Sequence, residues 1–197
     1  MPHYDPDRHR RRSVRWRGYA YSSEGAYFVT TTLHNGVPLL GRVIDERVRL
    51  SPAGEMVASV WSELPQRFPF VSLDAYVVMP DHVHGILILH NNSVARAEPL
   101  QRTEDDGLPD PELPGHARGT TSNSLGRVMQ AFKSLSTRAY GEGVRNAGWP
   151  AYEGRFWQRS FYDRVLRNDR ELWAIREYIR LNPAKWAMSQ DASGQES

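Results

Sequence analysis

Cysteine is absent from the chain, so disulfides and thiolate metal sites are excluded and cysteine usage says nothing about redox compartment. Long apolar runs are missing too. None approaches the ~20 residues a membrane-spanning helix needs, and the N-terminal stretch MPHYDPDRHRRRSVRWRG holds no apolar segment to serve as a secretory signal. The cytoplasm is therefore the expected location, with no membrane partner. Net charge is nearly absent: 25 Lys and Arg stand against 23 Asp and Glu, a balance of +2. With 40% hydrophobic and 24% charged residues over 197 positions, the composition is that of a globular chain with one good core.

The charge balance conceals an uneven distribution. Arg8, Arg10, Arg11, Arg12, Arg15 and Arg17 crowd the N-terminus, with Trp16 among them. A second cluster, Arg155, Arg159, Arg164, Arg167 and Arg170, is interleaved with Phe156, Trp157, Phe161 and Tyr162. Acidic residues collect between Glu98 and Glu112. Arginine beside aromatic rings suits phosphate contact combined with base stacking, so nucleic acid is the expected partner. A solvated basic face is the plainer reading of either cluster alone. Arg10, Arg11, Arg12, Arg15, Lys133, Arg155 and Arg159 are the candidate phosphate contacts.

Periodicity divides the chain. Residues 1–24 read as a basic arm. Residues 26–33 (AYFVTTTL) are β-branched and aromatic and predict a strand. Residues 42–44 and 48–50 predict a small hairpin. Ser51 and Pro52 open a helix in which Met56, Val57, Val60, Trp61 and Leu64 recur at helical spacing, with Pro65 as its stop. Strands follow at 73–79 and 82–89, joined tightly by Pro80-Asp81. The polar stretch 90–122 has no apolar period and is expected to be a disordered insertion. A helix over 123–140 carries Leu125, Val128, Met129, Phe132 and Leu135, with Gly141 as its stop. A strand over 160–166 precedes a final helix that opens at Asn168-Asp169, turns Leu172, Ile175 and Ile179 inward, and ends before Pro183. A polar tail, 188–197, closes the chain. The order strand, helix, strand, strand, helix, strand, plus one helix, predicts an α+β, ferredoxin-like (split βαβ) antiparallel sheet with helices on one face.

Two histidines stand out within this pattern. Residues two apart on a strand share a face, so His82 and His84 project together about 7 Å apart along the strand, while Val83 points the other way. Ile86 and Ile88 continue the histidine face. Imidazole suits several divalent metals, and a mixed imidazole and oxygen site can hold Mn²⁺ or, with phosphate oxygens, Mg²⁺. Two ordinary polar residues near a turn are the bland alternative, and two ligands do not complete a site. His3, His9, His34, His90 and His116 lie in less suitable segments. On the last helix, Tyr178 and Asn182 are four apart and share a face beside the apolar stripe. Asn182 offers an oxygen donor. Tyr178 offers a phenol, a poor nucleophile at its ordinary pKa near 10 until a metal or base assists it.

These residues carry a family resemblance. Ala75–Leu87 (AYVVMPDHVHGIL) resembles the signature of the single-tyrosine HUH transposases. The stretches Phe156–Asn168 (FWQRSFYDRVLRN), Arg176–Pro183 (REYIRLNP) and Gly25–Thr30 (GAYFVT) resemble the REP-associated tyrosine transposases in particular. The likeness covers about residues 10–90 and 123–187, and implies a transposase domain over 25–187. It also implies a ferredoxin-like fold, binding of hairpin-bearing single-stranded DNA, and a divalent metal, Mg²⁺ or Mn²⁺, that polarises the scissile phosphate. By motif position His82 and His84 are metal ligands, Tyr178 is the nucleophile that forms a 5′-phosphotyrosine, and Asn182 is the third ligand, where related enzymes often carry glutamine.

Tyr162 and Tyr140 are rival nucleophiles; neither has a polar partner four residues on or the matching motif. A non-catalytic module that binds single-stranded or repeat DNA on the same fold is the alternative function. A small-molecule metalloenzyme would need further histidine or carboxylate ligands. Whether the protein works as a monomer or a homodimer, with Tyr178 acting on its own or a partner's site, is open from sequence.

Overall fold

The computed structural model describes residues 24–90 and 123–194, with side chains to residue 190. The arginine-rich arm, with Arg10, Arg11, Arg12 and Arg15, lies outside these residues, as does all of the 90–122 insertion but its first residue. The chain order is β1 (Gly25–Thr32), β2 (Gly41–Ile44), β3 (Arg47–Leu50), α1 (Pro52–Ser62), α2 (Leu64–Arg67), β4 (Val71–Val78), β5 (His82–Leu89), α3 (Leu125–Ala147), β6 (Tyr162–Leu166) and α4 (Asp169–Gly194). Four strands form one sheet in the order β4-β5-β1-β6, every pair antiparallel. β2 and β3 pair separately as a hairpin. Setting that hairpin aside, the α+β, ferredoxin-like arrangement is the one the alternating patterns predict.

The strand alternation sorts residues onto two unlike faces. From β1, Tyr27, Val29 and Thr31 are buried on one side, where Val29 and Tyr27 join Val57, Trp61, Val128, Met129 and Phe132 of α1 and α3 in the main core. Phe28 points the other way and packs with Ile86, Leu166 and Ile179 beneath α4. The predicted helices thus cover one face, and the appended helix covers part of the opposite one. β5 must fit between them at close quarters. A Cβ at Gly85 would lie 2.3 Å from the Trp61 ring, so the residue after His84 has no side chain because α1 sits directly on it.

Three punctuation marks act differently from their local reading. Pro65 does not end the helical stretch. α1 stops at Ser62, and Pro65 occupies the first turn of the short α2, a position where its missing N–H costs nothing. Gly141 does not end α3, which runs on to Ala147 and closes at Gly148 in the left-handed region (φ 66°). Tyr140, wholly buried, and Trp149, seated against Gly143, hold that extra length in place, which outweighs the ~1 kcal/mol helix cost of a glycine. Pro183 lies inside α4, which runs past it and through most of the expected polar tail to Gly194. Packing on both sides of the proline, by Ile179 in the apolar cluster and Trp186 against His82, offsets the lost hydrogen bond. Among the described residues, no helix is long and apolar enough to cross a membrane.

Candidate active site

The Pro80-Asp81 turn between β4 and β5 is closed by the Met79 N–H donating to the His82 carbonyl at 2.7 Å. It sets His82 as the first residue of β5, opposite Thr32 of β1, with His84 opposite Thr30. Both imidazoles project under α4. Their Nε2 atoms converge to 3.1 Å. Each Nδ1 is engaged from behind: that of His82 by the Asp81 carboxylate at 2.5 Å, that of His84 by the Thr30 hydroxyl at 2.8 Å. The carboxylate can only accept, so His82 Nδ1 carries the proton of that bond, and in the neutral imidazole Nε2 then presents a lone pair. His84 is nine-tenths buried, stacked on the Phe28 ring at 5.5 Å. Burial, and then the neighbouring His82, push its pKa down to about 3, so it is a neutral imidazole throughout the physiological range.

This geometry fits a metal. Two ligand nitrogens at right angles about a cation, each ~2.1 Å away, stand ~3.0 Å apart, close to the observed 3.1 Å. Histidine ligands ordinarily have the second nitrogen held by a carboxylate or another polar group, and Asp81 and Thr30 provide that here. When Thr30 donates to Nδ1, the His84 Nε2–H bonds to His82 instead. Reversing the Thr30 hydrogen bond would free both Nε2 lone pairs to face the same point. Among the described residues no group of three or more His, Cys, Asp or Glu is placed to hold a metal, so a third protein donor has to be of another type.

α4 brings the remaining predicted residues over the pair. Asn168 caps its first turn, accepting from the Glu171 N–H at 2.9 Å. The Arg176 Nε–H donates to the Asp74 carboxylate at 2.8 Å, tying the helix to β4 where the β4–β5 register shifts; that bond holds the Asp74 pKa below the usual carboxylate range. Tyr178 then meets His84, its hydroxyl 3.4 Å from Nε2 and its ring edge-on to Phe28. The Lys185 ammonium lies over the tyrosine ring at 5.3 Å. Two turns beyond Tyr178, Trp186 packs on His82, ring centres 5.6 Å apart. Asn182 is buried midway between these contacts, one turn from each on the same helical face. His82, His84 and Tyr178 are thus brought together by two elements, with Asn182 buried on the same face of α4.

The rival tyrosines are elsewhere. Tyr140 is buried in the main core, its hydroxyl donating to the Pro150 carbonyl at 2.8 Å. Tyr162 pairs with Thr30 on β1, one strand beyond the histidines, and touches Phe28 rather than His84. Of the predicted phosphate contacts, Arg155 and Arg159 are exposed, and Arg155 borders a groove of about 480 Å³ with Arg138, Tyr152 and Trp157. Lys133 also lines it, but its ammonium donates to the Gln158 and Ser160 carbonyls, both at 2.9 Å, and burial lowers its pKa to about 8. It fastens the approach to β6 and has at most one N–H left for a phosphate. Thr30, Asp81 and Trp186 were not singled out from sequence. Asp81 carried a signal, a carboxylate next to a candidate ligand; Thr30 and Trp186 become neighbours of the histidines only through strand pairing and helix docking.

The fold is that of a transposase of known structure. A REP-associated tyrosine transposase bound to a REP hairpin superposes with a TM-score of 0.53 at 20% sequence identity, over 86% of this chain and 72% of that one. No protein-family model matches the chain. In sequence it is 32% identical over 191 residues to an uncharacterized protein of Haemophilus influenzae, covering 95% of this chain and 96% of that protein. The chain belongs to the same family as that protein.

Proposed function

We propose that the protein is a DNA-processing enzyme of the transposase kind, a metal-dependent endonuclease and strand transferase acting on hairpin-bearing single-stranded DNA. The carrying observation is the Tyr178 hydroxyl 3.4 Å from His84 Nε2, itself 3.1 Å from His82 Nε2. A phosphate oxygen bound where the two imidazoles converge would place its phosphorus within reach of the phenol. His82 and His84 would hold a divalent cation, Mg²⁺ or Mn²⁺, with Asn182 as the candidate oxygen donor from the helix. The cation, when bound, supplies charge neutralisation on the non-bridging oxygens.

The remaining chemistry belongs to the chain. Tyr178 Oη forms a bond to phosphorus as the bond to the 3′ oxygen breaks. The phenolic proton is lost and the 3′ oxygen leaves as a hydroxyl, so one phosphodiester is exchanged for a 5′-phosphotyrosine and no external energy source is needed. Phe28 and Lys185 fix the ring for in-line attack, while Asp81 and Thr30 orient the imidazoles. The likeness in fold to a transposase bound to a REP hairpin supports the choice of hairpin DNA.

The test is covalent capture. Protein incubated with Mn²⁺ and a hairpin-bearing single-stranded oligonucleotide should run as a protein–DNA adduct on a denaturing gel, and Tyr178→Phe should abolish it. An adduct that survives Tyr178→Phe but is lost in Tyr162→Phe would overturn the assignment. Metal-independent binding without any adduct would favour a non-catalytic DNA-binding module.

A further inference from the structure

The sheet face that carries the histidines is only partly covered by α4, and the uncovered part is aromatic. Tyr162, the first residue of β6, is 55% exposed. Its β1 neighbour Thr30 is also the neighbour of His84, so Tyr162, Thr30 and His84 form one row across three strands. With strands ~4.8 Å apart, the row places Tyr162 about 10 Å from His84, a distance an unstacked nucleotide or two spans. The ring is not loose. It stands edge-on against Phe28, ring centres 6.2 Å apart, and Phe28 in turn stacks on His84 and meets Tyr178 edge-on. The Tyr162 hydroxyl has no hydrogen-bond partner among the described residues.

An aromatic ring held in place from behind and open in front, on the exposed strand at the sheet edge, has the form of a base-stacking platform. Its surroundings suit a polyanion. Arg164 lies two residues on, on the same face, half exposed and paired only loosely with Glu171 at 3.4 Å, and the exposed Arg159 precedes β6. A ring there for the protein's own packing would be covered by α4, yet α4 leaves it in the open.

We propose that Tyr162 is a base-binding subsite: its ring stacks an unpaired base of the same strand whose phosphate lies at the histidine pair, setting which phosphate reaches Tyr178. The inference rests on the proposed function and concerns recognition, not the covalent step. Tyr162 is a positioning residue for substrate, and its role is separable from that of Tyr178.

The experiment uses the full chain. The cleavage position is first mapped from the wild-type adduct. The same oligonucleotide, with 2-aminopurine placed in turn at each nucleotide flanking that position, is then titrated into Tyr178→Phe protein, so that binding is read without capture. One position should be strongly quenched by stacking. Adding Tyr162→Leu should remove that quench and weaken binding about ten- to a hundredfold, while Tyr162→Phe should keep both within about twofold. In the Tyr178 background, Tyr162→Leu should also scatter cleavage over neighbouring phosphates, and a thermal melt close to wild type confirms that the leucine variant is folded. Unchanged affinity and quench in Tyr162→Leu would overturn the subsite while leaving the proposed function standing. A wild-type protein that neither binds nor captures single-stranded DNA would remove both.

Discussion

The two faces of the sheet are built to different ends. On the α1/α3 side, Tyr27, Val29, Val83 and Leu87 are fully buried against Val57, Trp61, Met129 and Phe132, and the fit is close enough that Gly85 has no room for a methyl group. On the α4 side a single helix covers a small apolar cluster, Phe28, Ile86, Leu166 and Ile179. Immediately beside that cluster lie two imidazoles, a buried asparagine, a partly exposed tyrosine and an uncovered one. The first face makes the fold stable. The second spends little area on stability and holds groups whose value lies in how they point. The same β5 strand serves both, Val83 and Gly85 facing one way, His82 and His84 the other.

Substitutions should separate the two faces, beginning with the largest effect. His84→Ala is expected to abolish both Mn²⁺ binding, followed by calorimetric titration, and the covalent adduct, while a cooperative melt shows that the variant is folded. Binding as tight as wild type would break the assignment of this face. Asp81→Ala and Thr30→Val each remove a group holding an imidazole from behind and should weaken Mn²⁺ binding about 10- to 100-fold. If neither moves the titration, the orienting role is wrong.

Gly85→Ala tests the other face from a position adjacent to a ligand. Its methyl would meet Trp61 at 2.3 Å, so denaturant melts should report a loss of about 1–3 kcal/mol. The surviving folded protein should still bind metal, because the damage falls on the α1 side. The last comparison is of pH dependence. His84 titrates at about 3 in the folded chain against 6.5 in the unfolded one, so below 6.5 the unfolded state binds the extra proton. Stability of the metal-free protein should therefore fall as pH drops from 6.5 towards 3. His84→Gln should flatten that part of the profile, and an equally steep fall in the variant would assign it to other groups.

Much of this was legible in order and period. The strands of β1, β4, β5 and β6 announce themselves by alternation and β-branched composition, α1 by Ser51-Pro52 and its apolar spacing, and the histidine pair by the strand's period of two. Local punctuation misled wherever packing outweighed it. Gly141 and Pro183 both read as helix ends, and both lie inside helices because aromatic contacts on the far side, from the half-buried Trp149 and Trp186, exceed the local cost. Thr30 is an unremarkable strand threonine in sequence. It becomes the partner of His84 because antiparallel pairing sets β1 beside β5 in one register.

The sequence by itself determined the element order, the fold class, the two faces of each strand, and which histidines share a side, since these follow from covalent geometry and the periods of helix and strand. The tertiary structure decided which groups meet across the chain: Thr30 with His84, Arg176 with Asp74, Trp186 with His82, and Tyr178 over the imidazole pair. Such contacts depend on register and helix docking, summed over many buried residues, and no short stretch of sequence encodes that sum.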